Sequence, residues 1–131
     1  MSRRVVDASA FLDAVLPTDR QDAALRALSG HELWAPAILD LEVTSALWRL
    51  ARTSAISLEE AERGLARLHD APIRRVDHVG LAGAAWRSRE AIRISDGFYV
   101  AAAHALAADL LTSDARLSRA PSLGVTVTLL R

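Results

Sequence analysis

Short apolar runs alternate with longer helical segments along the chain, and this alternation restricts the fold more than any other feature. Runs such as 3–6 and 110–113 fit single buried strands, whereas 37–52 carries apolar residues at helical spacing. Strands that alternate with helices favour a parallel sheet covered by helices on both faces. We therefore predict an α/β fold, a three-layer α/β/α sandwich with a central parallel sheet, as a single domain over residues 1–131.

Turn and cap residues set the bounds of the individual elements. Gly30 closes the second helix, Pro36 stops the second strand, and Ser57 with Glu60 has the spacing of a capping box. Strands are predicted at 3–6, 32–35, 73–76, 110–113 and 125–130. Helices are predicted at 9–15, 22–28, 37–52, 57–70, 79–91 and 96–108.

The composition excludes several classes of site. The chain has 16 basic residues, all arginine, 16 acidic residues and no cysteine, so its formal net charge is zero. A neutral protein has no overall attraction for nucleic acid, so any positive charge that binds it must be local. Without cysteine or lysine, thiol nucleophiles, zinc–thiolate centres and P-loop nucleotide sites are excluded. The absence of a long apolar stretch and of a secretory signal favours a cytoplasmic protein without membrane contact.

Acidic side chains follow two of the predicted strands, at the point where each strand ends. Asp7 follows the strand at 3–6, and Asp114 follows the strand at 110–113. Asp96 opens a predicted helix on a connection that reaches the same edge of the sheet. Because ligands bind beyond the carboxyl ends of parallel strands, we expect these three carboxylates to lie close together.

Glu42 lies inside a predicted helix, where residues at helical spacing include Ile38, Leu39 and Ala46. An acid beside the apolar stripe faces the protein, and burying its charge without a partner is costly. Arg49, two turns along the same helix, is one candidate partner. For the three aspartates the simpler alternative is helix capping, a role that aspartate commonly fills.

The four acids together are better explained by a shared cation. Neighbouring carboxylates repel one another unless one takes a proton or a cation lies among them. Oxygen ligands without cysteine or clustered histidine favour a hard ion such as Mg²⁺ or Mn²⁺. The sequence therefore predicts a metal site that contains Asp7, Glu42, Asp96 and Asp114.

These acids lie in four motifs: VVDASAFL at 5–12, ILDLEVTSALWR at 38–49, ISDGFYVAAAHAL at 94–106 and LLTSDARL at 110–117. In order and spacing the motifs resemble those of the PIN-domain ribonucleases, and most of all the VapC toxins of bacterial toxin–antitoxin pairs. The resemblance extends over essentially the whole chain, although residues 53–94 carry no diagnostic motif. Gly97 stands where alanine is more usual in the family.

The resemblance implies a metal-dependent endoribonuclease, and it implies a role for each matching residue. Asp7, Asp96 and Asp114 would hold the Mg²⁺ or Mn²⁺ ion, which activates a water molecule for attack on the phosphodiester. Glu42 would orient that water or help to hold a second ion. Ser9 and Thr112 match the supporting hydroxyl positions of the family and would fix the carboxylates or the water.

Arginines near the acids give a further hypothesis. Arg49 lies beyond Glu42 on the same predicted helix, and Arg93 shortly precedes Asp96. Because the protein is neutral, local positive charge is needed at the route to the acids, and we expect Arg49 and Arg93 to bind RNA phosphates.

The resemblance also implies partners: an RNA substrate, a VapB-like antitoxin, and assembly as a homodimer or a toxin–antitoxin hetero-oligomer. The apolar helical surface at 39–68 is the predicted groove for the antitoxin. The alternative function is a non-catalytic PIN-like interaction module, whose acids cap helices and bind a basic protein partner.

Overall fold

A parallel sheet forms the centre of the protein. The computed structural model describes residues 1–120 and 124–131. Its strands are β1 (Arg3–Val6), β2 (Glu32–Pro36), β3 (Ile73–Val76), β4 (Asp109–Thr112) and β5 (Val127–Leu129). All neighbours pair in parallel, in the order β3-β2-β1-β4-β5. The strand order reverses at β1, so the crevice beyond the carboxyl ends of β1 and β4 is the expected ligand position.

Helices connect the strands and cover the sheet. They are α1 (Ala8–Val15), α2 (Gln21–Leu28), α3 (Ile38–Arg52), α4 (Leu58–Asp70), α5 (Ala82–Arg87), α6 (Ile94–Ala105) and α7 (Ala115–Ser118). Helix α1 packs against α2, α3 and α4, and α3 packs against α4, whereas α5 packs with α6, which lies against β1, β2 and β4. The predicted three-layer α/β/α sandwich is confirmed.

The core lies on both sides of the two central strands. Val5 and Val6 on β1, and Leu110 and Leu111 on β4, have no solvent exposure. Strands buried on both faces are apolar without alternation, which explains why these runs read as continuous apolar segments. The rigid pair β1–β4 therefore fixes the position of whatever follows each strand.

A local sequence signal sets the start of α4 correctly. The Ser57 hydroxyl accepts a hydrogen bond from the Glu60 N–H, and the Glu60 carboxylate accepts one from the Ser57 N–H, so the capping box is confirmed. The second strand includes Pro36 as its last residue instead of stopping before it. None of the helices among the described residues has the length and apolarity needed to cross a membrane.

Two helix predictions between β3 and β4 are wrong in their bounds. Only Ala82–Arg87 of the predicted 79–91 helix is helical, since Gly80 and Gly83 weaken the segment and Leu81 supplies no side-chain cap. Helix α6 begins at Ile94 with Arg93 at its N-cap position, so Asp96 lies in the first turn and does not open the helix.

Gly97 allows α6 to approach α5 closely. A Cβ atom at this position would lie 3.0 Å from the Ala85 Cα atom, tighter than an ordinary contact. Glycine therefore fits the close packing of these two helices. Because Gly97 adjoins Asp96, the same contact helps to set where that carboxylate lies.

Candidate metal centre

The carboxyl ends of β1 and β4 bring their following residues together. The Asp7 N–H donates a hydrogen bond to the Leu111 carbonyl at 3.1 Å, which extends the pairing of the two strands by one residue. The Ser9 hydroxyl accepts a hydrogen bond from the Ser113 N–H at 3.0 Å. The two strand ends are thus tied to each other by backbone and side-chain contacts.

Asp7 is the most buried acid of this region, with 5% exposure. Its Oδ1 atom accepts hydrogen bonds from the Ala10 N–H at 2.9 Å and the Ser9 hydroxyl at 2.7 Å. Its Oδ2 atom accepts one from the Thr112 hydroxyl at 2.5 Å. Asp7 is therefore the N-cap of α1, as the capping alternative requires. Its carboxylate also accepts hydrogen bonds from Ser9 and Thr112, the two supporting hydroxyl residues that the sequence analysis named.

Burial raises the pKa of Asp7 to about 6. The hydrogen bonds from Thr112, Ala10 and Ser9 act in the opposite direction, and the negative charge of Asp96 adds a smaller upward contribution. A cation beside such a carboxylate stabilises its ionised form and so offsets the cost of burying the charge.

Arg93 joins the other two aspartates. Its Nε atom lies 3.3 Å from Asp96 Oδ2, and its Nη2 atom lies 3.3 Å from Asp114 Oδ2. Asp114 also accepts a hydrogen bond from the Arg116 N–H at 2.9 Å as the N-cap of α7. Although burial works against it, these Arg116 hydrogen bonds and the charges of Arg116 and Arg93 hold the pKa of Asp114 below its usual value.

Glu42 is held by a tyrosine. The Tyr99 hydroxyl donates a hydrogen bond to Glu42 Oε1 at 2.7 Å, joining α6 to α3. Glu42 forms no ion pair with Arg49 in the described part of the chain, so the proposed pairing along the helix is wrong. The motif at 94–106 contains Tyr99, but no local pattern indicated that it contacts a residue on another helix.

All four acids line one open cleft of about 500 Å³. Ser9, Arg49, Arg93 and Tyr99 also line it, whereas Thr112 is fully buried and contacts the cleft through Asp7. The acids come from four separate segments of the chain, at the edge of the sheet where the strand order reverses. Capping accounts for Asp7 and Asp114 singly, but it does not explain why Glu42 and Asp96 join them.

The donor set suits a hard divalent cation, because it consists of carboxylate and hydroxyl oxygens. Within residues 1–120 and 124–131, however, no three acidic or histidine side chains already stand in a metal-holding arrangement. Arg93 instead pairs with both Asp96 and Asp114, and the Asp7 carboxylate accepts hydrogen bonds from Ser9 and Thr112. The Arg93 side chain that makes both pairs is 62% exposed.

Comparisons with known proteins agree on one family. The model of the PIN domain matches residues 4–123 of the chain. Ribonuclease VapC3 of Mycobacterium tuberculosis is 38% identical over 117 residues, which cover 88% of this chain and 85% of the relative.

Solved structures share the fold at low sequence identity. The structure of VapC20 of Mycobacterium tuberculosis, described as a sarcin–ricin loop cleaving toxin, superposes with a TM-score of 0.68 at 16% identity, covering 88% of this chain and 92% of that one. VapBC2 of Rickettsia felis, bound to a DNA fragment from its promoter, gives a TM-score of 0.68 at 12% identity, with coverage of 98% and 99%.

Proposed function

Since the chain belongs to the PIN-domain family and to its VapC ribonucleases, we propose that it is the RNA-cleaving toxin of a VapBC-like toxin–antitoxin pair. We further propose that cleavage depends on Mg²⁺ or Mn²⁺ held by Asp7, Asp96 and Asp114, in a single PIN domain that spans residues 1–131. The observation that carries the proposal is the meeting of four acids from four separate segments in one cleft.

The metal ion, when bound, lowers the pKa of a water molecule and stabilises the charge that develops on the phosphate. The protein's own residues prepare that chemistry. Ser9 and Thr112 hold the Asp7 carboxylate at fixed positions through hydrogen bonds of 2.7 and 2.5 Å. Glu42, which is not tied to an arginine in the described residues, is available to orient the attacking water or a second ion.

Arg49 and Arg93 line the cleft and supply its local positive charge. We propose that both bind RNA phosphates, which a protein of zero net charge otherwise attracts only weakly. Arg93 has a second effect, because its guanidinium forms ion pairs with both Asp96 and Asp114. It therefore competes with a metal ion for the same two carboxylates.

Arg93→Gln is expected to tighten Mn²⁺ binding while it weakens RNA binding. Loss of two ion pairs of about 0.2–1 kcal/mol each should lower the Mn²⁺ dissociation constant roughly two- to thirtyfold. Arg49→Gln is the matched control, since Arg49 lines the same cleft without an ion pair to these acids in the described chain. It should weaken RNA binding and leave the Mn²⁺ constant unchanged. Calorimetric titration measures both constants, and equal Mn²⁺ affinity in the two variants contradicts the competition.

The proposed antitoxin partner has a suitable surface on α3 and α4. Leu41 and Trp48 on α3, and Leu58 and Leu65 on α4, are exposed apolar side chains within the surface predicted from the sequence. Burial of such side chains favours association with a partner. We propose that the antitoxin binds there and blocks the adjoining cleft, and that the protein acts in the cytoplasm as a homodimer or as a complex with its antitoxin.

The direct experiment compares the wild-type protein with Asp96→Asn on a pool of structured RNAs. We expect the wild-type protein to cleave with Mg²⁺ or Mn²⁺ and to stop when EDTA is added. Loss of the proposed ligand in Asp96→Asn should lower the rate by at least about a hundredfold. Because both proteins are purified identically, the variant also reports contaminating nucleases. Cleavage that persists in EDTA, or that is equal in the two proteins, contradicts the mechanism and favours a non-catalytic interaction module.

A further inference from the structure

Glu42 differs from the three aspartates in how the fold holds it. The aspartates lie at strand ends or in a first helical turn, where backbone geometry limits their positions. Glu42 lies within α3 and carries a longer side chain, whose rotamer freedom must be lost before the carboxylate has one position. Some contact in the tertiary structure must therefore define where this carboxylate points.

Tyr99 provides that contact. Its hydroxyl donates to Glu42 Oε1 at 2.7 Å, and both residues line the cleft. In the described residues this is the sole side-chain hydrogen bond that Glu42 accepts, and Oε2 remains available for other contacts. The position of the carboxylate thus depends on a single donor from α6.

The donor itself is held firmly. Tyr99 is 2% exposed, and its ring belongs to the hydrophobic core. Burial, followed by the hydrogen bond to Glu42 and the charges of Glu42 and Asp7, raises the pKa of Tyr99, so the hydroxyl stays protonated as a donor. A buried ring in one rotamer presents its hydroxyl at one place, which makes it suitable for fixing a flexible acid.

We propose that Tyr99 is a positioning residue for the cleavage reaction, whose hydroxyl holds the Glu42 carboxylate in the cleft with Oε2 free for water or a cation. This inference rests on the proposed ribonuclease function. Tyr99 itself does not contact the reacting atoms. Its contribution passes through Glu42, and Tyr99 needs only its hydroxyl group for it, because the ring serves the core in tyrosine and phenylalanine alike.

The test is a double-mutant cycle of Tyr99→Phe and Glu42→Gln. Tyr99→Phe alone should lower kcat by about tenfold, as removal of a supporting partner typically does, and leave KM for RNA unchanged. In the Glu42→Gln background the same change should have an effect of less than about twofold, because the group that Tyr99 positions is already lost. A residue with a merely structural role would lower activity by the same factor in both backgrounds.

Two further measurements keep the outcome decisive. A crystal structure of Tyr99→Phe should show the Glu42 carboxylate displaced or in several conformers, with the backbone of α3 unchanged. If Tyr99→Phe does not fold, a crystal structure of the wild-type protein decides: the inference requires one Glu42 carboxylate position within hydrogen-bond distance of the Tyr99 hydroxyl, and a carboxylate that lies elsewhere overturns it.

The inference is overturned if Tyr99→Phe cleaves like the wild-type protein while Glu42→Gln does not, or if the two losses multiply. It is equally overturned if Glu42 keeps its position in the Tyr99→Phe crystal structure. Failure of the proposed function looks different, since the wild-type protein itself would then not cleave RNA with a metal ion. In that case the position of Glu42 in the crystal structure still decides whether Tyr99 holds it.

Discussion

Asp7→Asn is expected to abolish metal-dependent cleavage and, at the same time, to stabilise the protein in EDTA at neutral pH. Cleavage should fall by at least about a hundredfold, because the substitution removes a proposed metal ligand. The gain in stability follows from the cost of ionising a buried carboxyl group, which raises the pKa of Asp7 to about 6. Both effects have one cause, the buried carboxyl group, so we expect the loss of activity and the gain in stability to occur together.

The pH dependence of this stability gain has a definite sign. A carboxyl group whose pKa is raised in the folded protein favours folding while it is protonated, and this contribution is lost as the pH rises. For Asp7 the loss occurs between the unfolded pKa of 3.8 and the folded value of about 6. Asparagine is neutral throughout, so the gain should be on the order of 1–3 kcal/mol at neutral pH and vanish in acid.

Urea unfolding in EDTA, across this pH range, measures the effect, with Asp114→Asn as the matched control. Although burial works against it, the hydrogen bonds of Arg116 and the charges of Arg116 and Arg93 hold the pKa of Asp114 below its usual value, so its ionised form favours folding. Asp114→Asn should therefore abolish cleavage without any gain in stability at neutral pH. Equal changes in the free energy of unfolding for the two variants would contradict the described surroundings of Asp7.

Thr112→Val is expected to weaken metal binding and destabilise the fold together. The Thr112 hydroxyl is fully buried, donates to Asp7 Oδ2 and accepts a hydrogen bond from the Asp114 N–H at 2.9 Å. Valine has the same shape but leaves both partners without this contact, at a cost of about 1–3 kcal/mol of stability. Metal affinity should fall roughly 10- to 100-fold, as it does when a group that orients a ligand is removed.

Thr128→Val is a close control for this substitution. The Thr128 hydroxyl also donates to an aspartate, Asp109 Oδ2, at 3.0 Å, but that aspartate pairs with Arg4 and does not line the cleft. Titration with Mn²⁺, followed by the saturable rise in Tm, compares the two variants. We expect a weakened Mn²⁺ response in Thr112→Val alone. The same Mn²⁺ affinity in both variants would contradict a role for Thr112 in supporting the metal site.

Local patterns were sufficient for most of the fold because neighbours in sequence determine strands, caps and turns. The strand at 3–6 and the capping box of Ser57 and Glu60 depend on such neighbours, and both are confirmed. The helix predicted at 79–91 is too long because its apolar periodicity continues through segments that lack helix-stabilising caps. Periodicity alone does not reveal where a helix ends when no strong breaker follows it.

The site was less predictable, because its contacts join residues far apart in the chain. Asp7 and Asp114 each follow a parallel strand, so their position at one edge of the sheet could be predicted from where the strands end. The hydrogen bond between Tyr99 and Glu42 spans 57 positions, and the ion pair of Arg93 with Asp114 spans 21. Such partners depend on how α3 packs near α6 and on the turn before α6, which neither composition nor periodicity encodes.

Crystals grown with Mn²⁺ give the most direct measurement, through the anomalous scattering of the bound ion. If the acids of the cleft share a cation, a peak should lie about 2.0–2.2 Å from carboxylate oxygens of Asp7, Asp96 and Asp114, with the Arg93 guanidinium moved away. A crystal saturated with Mn²⁺ that keeps Arg93 between Asp96 and Asp114, and shows no peak in the cleft, would contradict the metal centre.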